Sequence, residues 1–108
     1  MIALDQFREL EMRVGAVVEA VDQPGSEKLI KLKVNFGDET RIIFTAVRPY
    51  GYTPEYFLNK KFIFVTNLEY KKIMGEESQG MILAVCEENK RPVFVMPTEE
   101  APVGARVR

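Results

Sequence analysis

The residues best equipped for chemistry lie between Asn67 and Met81, in the run Asn-Leu-Glu-Tyr-Lys-Lys-Ile-Met-Gly-Glu-Glu-Ser-Gln-Gly-Met. Lys71 and Lys72 offer charge-assisted hydrogen bonds to an anion. Asn67 and Gln79 carry both donors and acceptors, and Ser78 can bond to a phosphate, a base edge or a 2′-hydroxyl. Gly75 and Gly80 let a backbone approach closely. This set can grip an anionic, shaped ligand, but it contains no acid–base pair. The chain has no histidine and a single cysteine, Cys86. Ser-His and Cys-His nucleophile pairs are therefore absent, as is an internal disulfide, and a zinc site is disfavoured. No cofactor, metal or catalytic residue is expected. Cys86 ends an apolar run and reads as a small buried hydrophobe.

Charge sharpens the reading. The net charge is −1, yet Lys28 to Lys72 holds nine basic residues against four acidic ones. That span carries +5 and the remainder −6. The local field of a surface patch, rather than total charge, governs attraction of a polyanion. A solvated charge run with no partner is the plainer alternative.

The elements that must position these residues are strands. Alternation dominates and long helical periodicity is absent. Met12 to Val21 forms a first strand, with Val14, Ala16, Val18 and Ala20 on one face. Gly15 within it suggests a bend or bulge. Asp22 to Ser26 is a turn. Leu29 to Phe36 alternates Ile30, Leu32, Val34 and Phe36 with Lys31, Lys33 and Asn35. Gly37 to Thr40 turns the chain back into Arg41 to Val47. Thr53, Pro54 and Glu55 form a helix start: a hydroxyl cap, a proline at the first position and an acid in the first turn. Lys61 to Leu68 is a fourth strand, Gly80 to Cys86 a fifth, and Val93 to Met96 a sixth apolar patch.

Three strands, a short helix and two strands make the order of an OB-fold, a five-stranded Greek-key barrel. The 108 residues fit one domain, with the barrel over about 13–86 and extensions at 1–12 and 87–108. OB-folds bind across strands two and three and the loops from strand one to two and four to five. Lys31 and Lys33 fall on the outward face of strand two. Arg41 and Arg48 bracket strand three, Lys28 ends the first loop, and Lys71 and Lys72 lie in the last.

Single-strand binders of this fold usually stack bases on aromatics of that face. Strand two offers none. Tyr50, Tyr52, Tyr56 and Phe57 gather around the helix and read as packing beneath the barrel end. Tyr70 is the one aromatic placed to stack. The pattern favours phosphate and ribose contacts to a folded RNA.

The Asn67–Met81 run resembles the signature of the tRNA-binding domain appended to methionyl-tRNA synthetases. The same domain occurs free-standing and in cytokine-like synthetase cofactors. Asp5 to Gly15, Glu27 to Leu29, Lys33 to Gly37 and Tyr52 to Glu55 fit too, so the likeness covers essentially the whole chain. The resemblance implies an OB-fold homodimer that binds tRNA by shape and does no chemistry. A chain of this size resembles the separate beta subunit of methionyl-tRNA synthetase, with the catalytic subunit as a further partner. It implies tRNA contacts by Asn67, Lys71, Lys72, Ser78 and Met81; the surface reading adds Gln79, Lys28, Lys31, Lys33 and Arg41. Tyr70 stands where the family usually has proline, and Met74 where a basic residue often precedes the glycine. Gln23 replaces a histidine before Pro24, and Thr45-Ala46 a small pair with glycine.

The flanks carry Ile2, Leu4, Phe7, Leu10, Val93, Phe94, Val95, Met96, Val103 and Val107. This apolar excess must cover the barrel or pair with a second copy. The alternative function is a protein–protein docking module or a secretion-chaperone-like OB module. Met1 to Leu10 is too acidic and too short in apolar run for a signal peptide, and no stretch has membrane-spanning length. The cytoplasm is the expected location, and no membrane is expected as a partner.

Overall fold

The computed structural model describes residues 1–108. A short helix α1 (Leu4–Arg8) leads into β1 (Met12–Asp22), β2 (Ile30–Asn35) and β3 (Thr40–Thr45). A 3-10 turn (Arg48–Tyr50) and the one-turn helix α2 (Pro54–Phe57) precede β4 (Lys61–Val65). Then come five short strands: β5 (Lys71–Ile73), β6 (Glu76–Ser78), β7 (Met81–Ile82), β8 (Ala84–Val85) and β9 (Val93–Phe94). The main sheet has five antiparallel strands in the order β3-β2-β1-β4-β7.

The barrel is nearly closed where β3 meets the segment before β7. Gln79 N donates to the Ile42 carbonyl at 2.8 Å. Ile42 N donates back to Gln79 Oε1 at 2.8 Å, and Phe44 N to Ser78 Oγ at 3.1 Å. Side-chain acceptors here satisfy edge amides that a further strand would otherwise bond. The OB-fold reading thus holds, with the short helix between the third and fourth strands.

Alternation on β2 is as expected: Ile30, Leu32 and Val34 are buried, as is Phe36 just beyond. On β1 it is not. The predicted face of Val14, Ala16, Val18 and Ala20 is split. Val17 enters the main core, Val14 joins a second cluster, and Val18 is exposed. Ordinary alternation sets Gly15 and Val17 toward the barrel interior and Met12 and Val14 toward the other side, and a register irregularity between Val17 and Glu19 in the pairing with β2 then brings Ala20 to the interior. Beyond the extra residue the inward-facing positions change parity, from Val17 to Ala20. Gly15 is a close-packing position: a Cβ there would lie 2.5 Å from Val34 Cγ1 and 2.8 Å from ring atoms of Phe36 and Phe64.

The main core combines barrel residues with Tyr52, Phe57, Phe62 and Phe94. Tyr52, Tyr56 and Phe57 close the barrel end, while Tyr50 is exposed. Tyr52, Phe57 and Phe94 contact one another, with Phe57 and Phe94 edge-to-face at 5.0 Å. The second cluster, Met12, Val14, Ile63 and Val65, is covered by Phe7, Leu83, Val95, Ala101, Ala105 and Val107. Part of the apolar excess in the flanks therefore covers the chain's own barrel. Ile2, Leu4, Leu10, Val93 and Met96 are exposed.

Three local expectations change. Thr53 occupies the cap position of α2, but its side chain makes no capping bond. The fifth strand is broken: β7 pairs with β4 and β8 with β9, with Leu83 bridging Ile63 and Val95 through backbone bonds. Cys86 is exposed, not buried. It follows the last residue of β8, and Val85 before it is exposed as well, so the chain has already left the core there.

Candidate nucleic-acid interface

The stretch that carries the sequence motif is a β-hairpin. β5 and β6 pair in register from Lys71↔Ser78 to Ile73↔Glu76. Met74 and Gly75 form the two-residue turn, at φ 52° and 83°. Positive φ at both central residues matches the twist of the flanking strands and is the favoured hairpin geometry. Met74 adopts it without glycine's freedom, at a cost of roughly 1–2 kcal/mol. Its Cε reaches to within 3.4 Å of where a Cβ on Gly25 would stand. The hairpin tip thus leans on the turn after β1. Lys31 Nζ, 2.6 Å from Glu76 Oε1, ties the hairpin to β2.

The ten predicted contact residues separate into three groups. Lys28, Lys71, Lys72 and Met81 are exposed, and no carboxylate lies within 4 Å of the three lysines. Lys31 and Lys33 point outward as expected but face Glu76 and Glu19 at 2.6 and 4.0 Å. The other four are bound within the chain.

Asn67 donates through Nδ2 to the Glu9 carbonyl at 2.6 Å and accepts from Glu11 N at 2.7 Å. Ser78 is buried; besides accepting from Phe44 N, it donates to the Gly80 carbonyl at 3.3 Å. Gln79 closes the barrel, as described. Arg41 donates to the carbonyls of Thr66 at 2.5 Å and Gln79 at 3.1 Å, and to both oxygens of Glu39. The hydrogen bonds to Glu39 raise the Arg41 pKa above its ordinary value, against the opposing effect of burial. Arg41 also sits 5.8 Å above the Tyr70 ring, within cation–π reach.

A second anionic network lies beside it. Arg13 donates to Asp38 at 2.9 Å and to the carbonyls of Phe36 and Gly104, both at 3.1 Å. The bond from Arg13 holds the Asp38 carboxyl below its usual pKa, and that from Arg41 does the same for Glu39. No cluster of three His, Cys, Asp or Glu side chains is gathered anywhere.

Folding therefore redistributes the charge seen in sequence. Acids from outside the Lys28–Lys72 span, Glu19, Asp22, Glu76 and Glu100, pair with Lys33, Arg48, Lys31 and Lys61 of the basic middle. Lys28, Lys60, Lys71 and Lys72 keep no such partner. Sequence reasoning missed Lys60 and Arg91, which rest on Tyr56 and Tyr52 at 4.1 and 3.9 Å from the ring centroids. It also missed Phe44, Leu68 and Ile73, which with Ser78 and Met81 line a cleft beside the hairpin. Only the motif's position could have flagged Leu68 and Ile73.

Known proteins resemble this chain in sequence and fold. The methionine–tRNA ligase of Pyrococcus abyssi is 41% identical over 107 residues, which is 99% of this chain and 14% of that enzyme. The chain thus spans about one seventh of the curated relatives it matches. The solved MetRS related protein from Pyrococcus horikoshii superposes with a TM-score of 0.93 at 42% identity, covering 100% of this chain and 98% of that one. The chaperone CsaA from Bacillus anthracis superposes with a TM-score of 0.87 at 25% identity, covering 100% and 99%. The family model described as "Putative tRNA binding domain" matches residues 12–106, and the chain belongs to that family of tRNA-binding domains.

Proposed function

We propose that this chain is a non-catalytic tRNA-binding module that serves as the beta subunit of a methionyl-tRNA synthetase or as its stand-alone equivalent. One observation carries the reading. Lys71 and Lys72 stand unpaired on a hairpin beside a barrel face that offers lysines and no stacking aromatic. That surface suits the phosphates and riboses of a folded RNA better than a splayed single strand.

In this reading Lys28, Lys71, Lys72 and Met81 touch tRNA directly. Lys31 and Lys33 add contacts once phosphate displaces Glu76 and Glu19. Surface pairs of this kind are worth only about 0–1 kcal/mol, so the exchange costs little. Asn67, Ser78, Gln79 and Arg41 serve by holding the hairpin and its flanking segments in place, and contact RNA through whatever bonding capacity remains.

The barrel over about 13–86 carries the binding face. The segments 1–12 and 87–108 pair two copies through the exposed apolar residues Ile2, Leu4, Leu10, Val93 and Met96. A twofold dimer presents two such faces to one partner and raises the effective concentration of the second. The cytoplasm is the proposed location, with the catalytic subunit of the synthetase as a further partner. A second reading, a protein-docking or chaperone module, is favoured by the likeness to CsaA.

Filter binding of tRNA between 50 and 200 mM salt tests the proposal. With about four to six phosphate contacts, log affinity falls against log salt with a slope near −3 to −5. Salt-insensitive binding, or equal affinity for an unstructured RNA of the same length, would overturn recognition by shape. Native mass spectrometry with bulk tRNA checks the two-copy stoichiometry.

A further inference from the structure

A cleft of about 270 Å³ opens between the β5–β6 hairpin, the Leu68–Glu69 segment and the start of β7. Phe44, almost fully buried, forms its floor, and Ile73, Leu68 and Met81 form its apolar walls. The exposed side chains of Glu69 and Lys71 stand at its mouth. The chain does not fill the cleft itself, since the adjacent Tyr70 ring lies near Arg41 instead.

We infer that this cleft receives one unstacked nucleobase of the bound RNA. The inference rests on the tRNA-binding reading and adds to backbone contact a point of base insertion. A nucleotide joins a flat, apolar-faced ring to an anionic phosphate. The cleft joins apolar walls to an unpaired ammonium, that of Lys71, while Lys72 points to the other face of the hairpin. Size is adequate: a cavity of about 150 Å³ admits benzene, so this one accommodates a one- or two-ring base.

The polar groups also predict tolerance toward base identity. Ser78 Oγ, the one side-chain hydroxyl in the lining, is already engaged with Phe44 N and the Gly80 carbonyl. Inside the cleft no side-chain polar group is left free to read a base edge, Glu69 and Lys71 standing at its mouth, whereas every base has a face to pack on apolar walls. Insertion thus distinguishes RNA that displays an unstacked base from RNA that does not, without selecting a sequence. An apolar peptide side chain would suit the walls but make no use of the lysines.

The test uses the full chain and tRNA carrying 2-aminopurine at single-stranded loop positions, one at a time. The expected result is a fluorescence change at one or a few positions on saturation with protein. Leu68→Ala with Met81→Ala should remove that change and weaken tRNA binding roughly tenfold at fixed salt, leaving the salt slope intact. Ile73→Trp, which fills the cleft, should act the same way; melting curves confirm that each variant is folded. Lys71→Ala with Lys72→Ala should instead flatten the slope. If both cleft variants bind tRNA as well as the parent, or if no loop position responds, the inference falls and the tRNA-binding reading stands. If the parent fails to bind tRNA, both fall. If the cleft variants lose only binding to an unfolded apolar polypeptide, the cleft belongs to a peptide side chain and the inference is overturned.

Discussion

Lys31 and Lys33 on β2 carry the same charge as Lys71 and Lys72 on β5, but their surroundings differ. The β2 pair lies on the face where this fold usually takes ligands, and each lysine faces a carboxylate supplied from elsewhere in the chain. The β5 pair lies on a two-stranded projection and has no carboxylate within 4 Å, although Glu77 is the cross-strand neighbour of Lys72. The difference teaches that a run of basic residues measures charge, not available charge. Folding carries Glu19 and Glu76 onto the basic face. That leaves Lys71 and Lys72 as the more accessible cations.

Four measurements press on that contrast. The largest effect belongs to Lys71→Ala with Lys72→Ala. Removing two ammonium groups that bind phosphate should lower tRNA affinity by about tenfold or more at moderate salt and reduce the salt slope by about 1.4–1.8. Lys31→Ala with Lys33→Ala should do less on both counts in the same titration. Equal effects from the two pairs would erase the contrast.

Ser78→Ala comes next. It would leave the Phe44 N–H without its acceptor in a buried place, costing about 1–3 kcal/mol of stability. A drop in melting temperature of several degrees is the expected readout. Weaker tRNA binding with an unchanged melt would instead make Ser78 a direct contact.

Glu76→Gln should release Lys31 and so strengthen tRNA binding, by about twofold to fivefold, given the small worth of exposed pairs. A weaker complex would mean that the pair's service in seating the hairpin outweighs the charge it masks.

The smallest effect is one of pH. Glu39 has a depressed pKa in the fold because Arg41 bonds to its carboxylate. Its contribution is present above its ordinary value near 4.5 and is lost as pH falls through the lower folded value. The difference in melting temperature between the parent and Glu39→Gln should therefore be present at pH 7 and shrink below about pH 4. A gap that persists under acid would show that charge plays no part in it.

Much of this molecule is legible in its residue order. The alternation through Ile30, Leu32, Val34 and Phe36 assigns β2 its faces, and Pro54 with Glu55 places α2. The motif from Asn67 to Met81 leads to the family. What stays hidden depends on contacts between distant residues. Both sides of β1 are apolar, so the pattern does not reveal that Val17 and not Val14 faces the barrel interior; the one-residue irregularity at Val17–Glu19 then turns Ala20 inward, and nothing local in Val-Val-Glu announces it. Asn67, Gln79 and Arg41 look the same in sequence whether they reach for RNA or for the Glu9, Ile42 and Thr66 backbone. Their polar atoms suit either partner, and only the folded neighbourhood decides. Cys86 escapes the pattern because an apolar run reveals burial on average, not the residue at which the chain turns outward.

Along β1, Val17 belongs to the main core and Val14 to the cluster covered by the terminal segments. The strand bonds to β2 along its later half and to β4 along its earlier half. It is a party wall between two rooms. Loosening the terminal cover strips one side of the central strand of the sheet, so the two cores should open as a single cooperative unit. Amide protons along β1 then exchange at the rate of global opening, and ligands or partners that settle either side slow exchange on both.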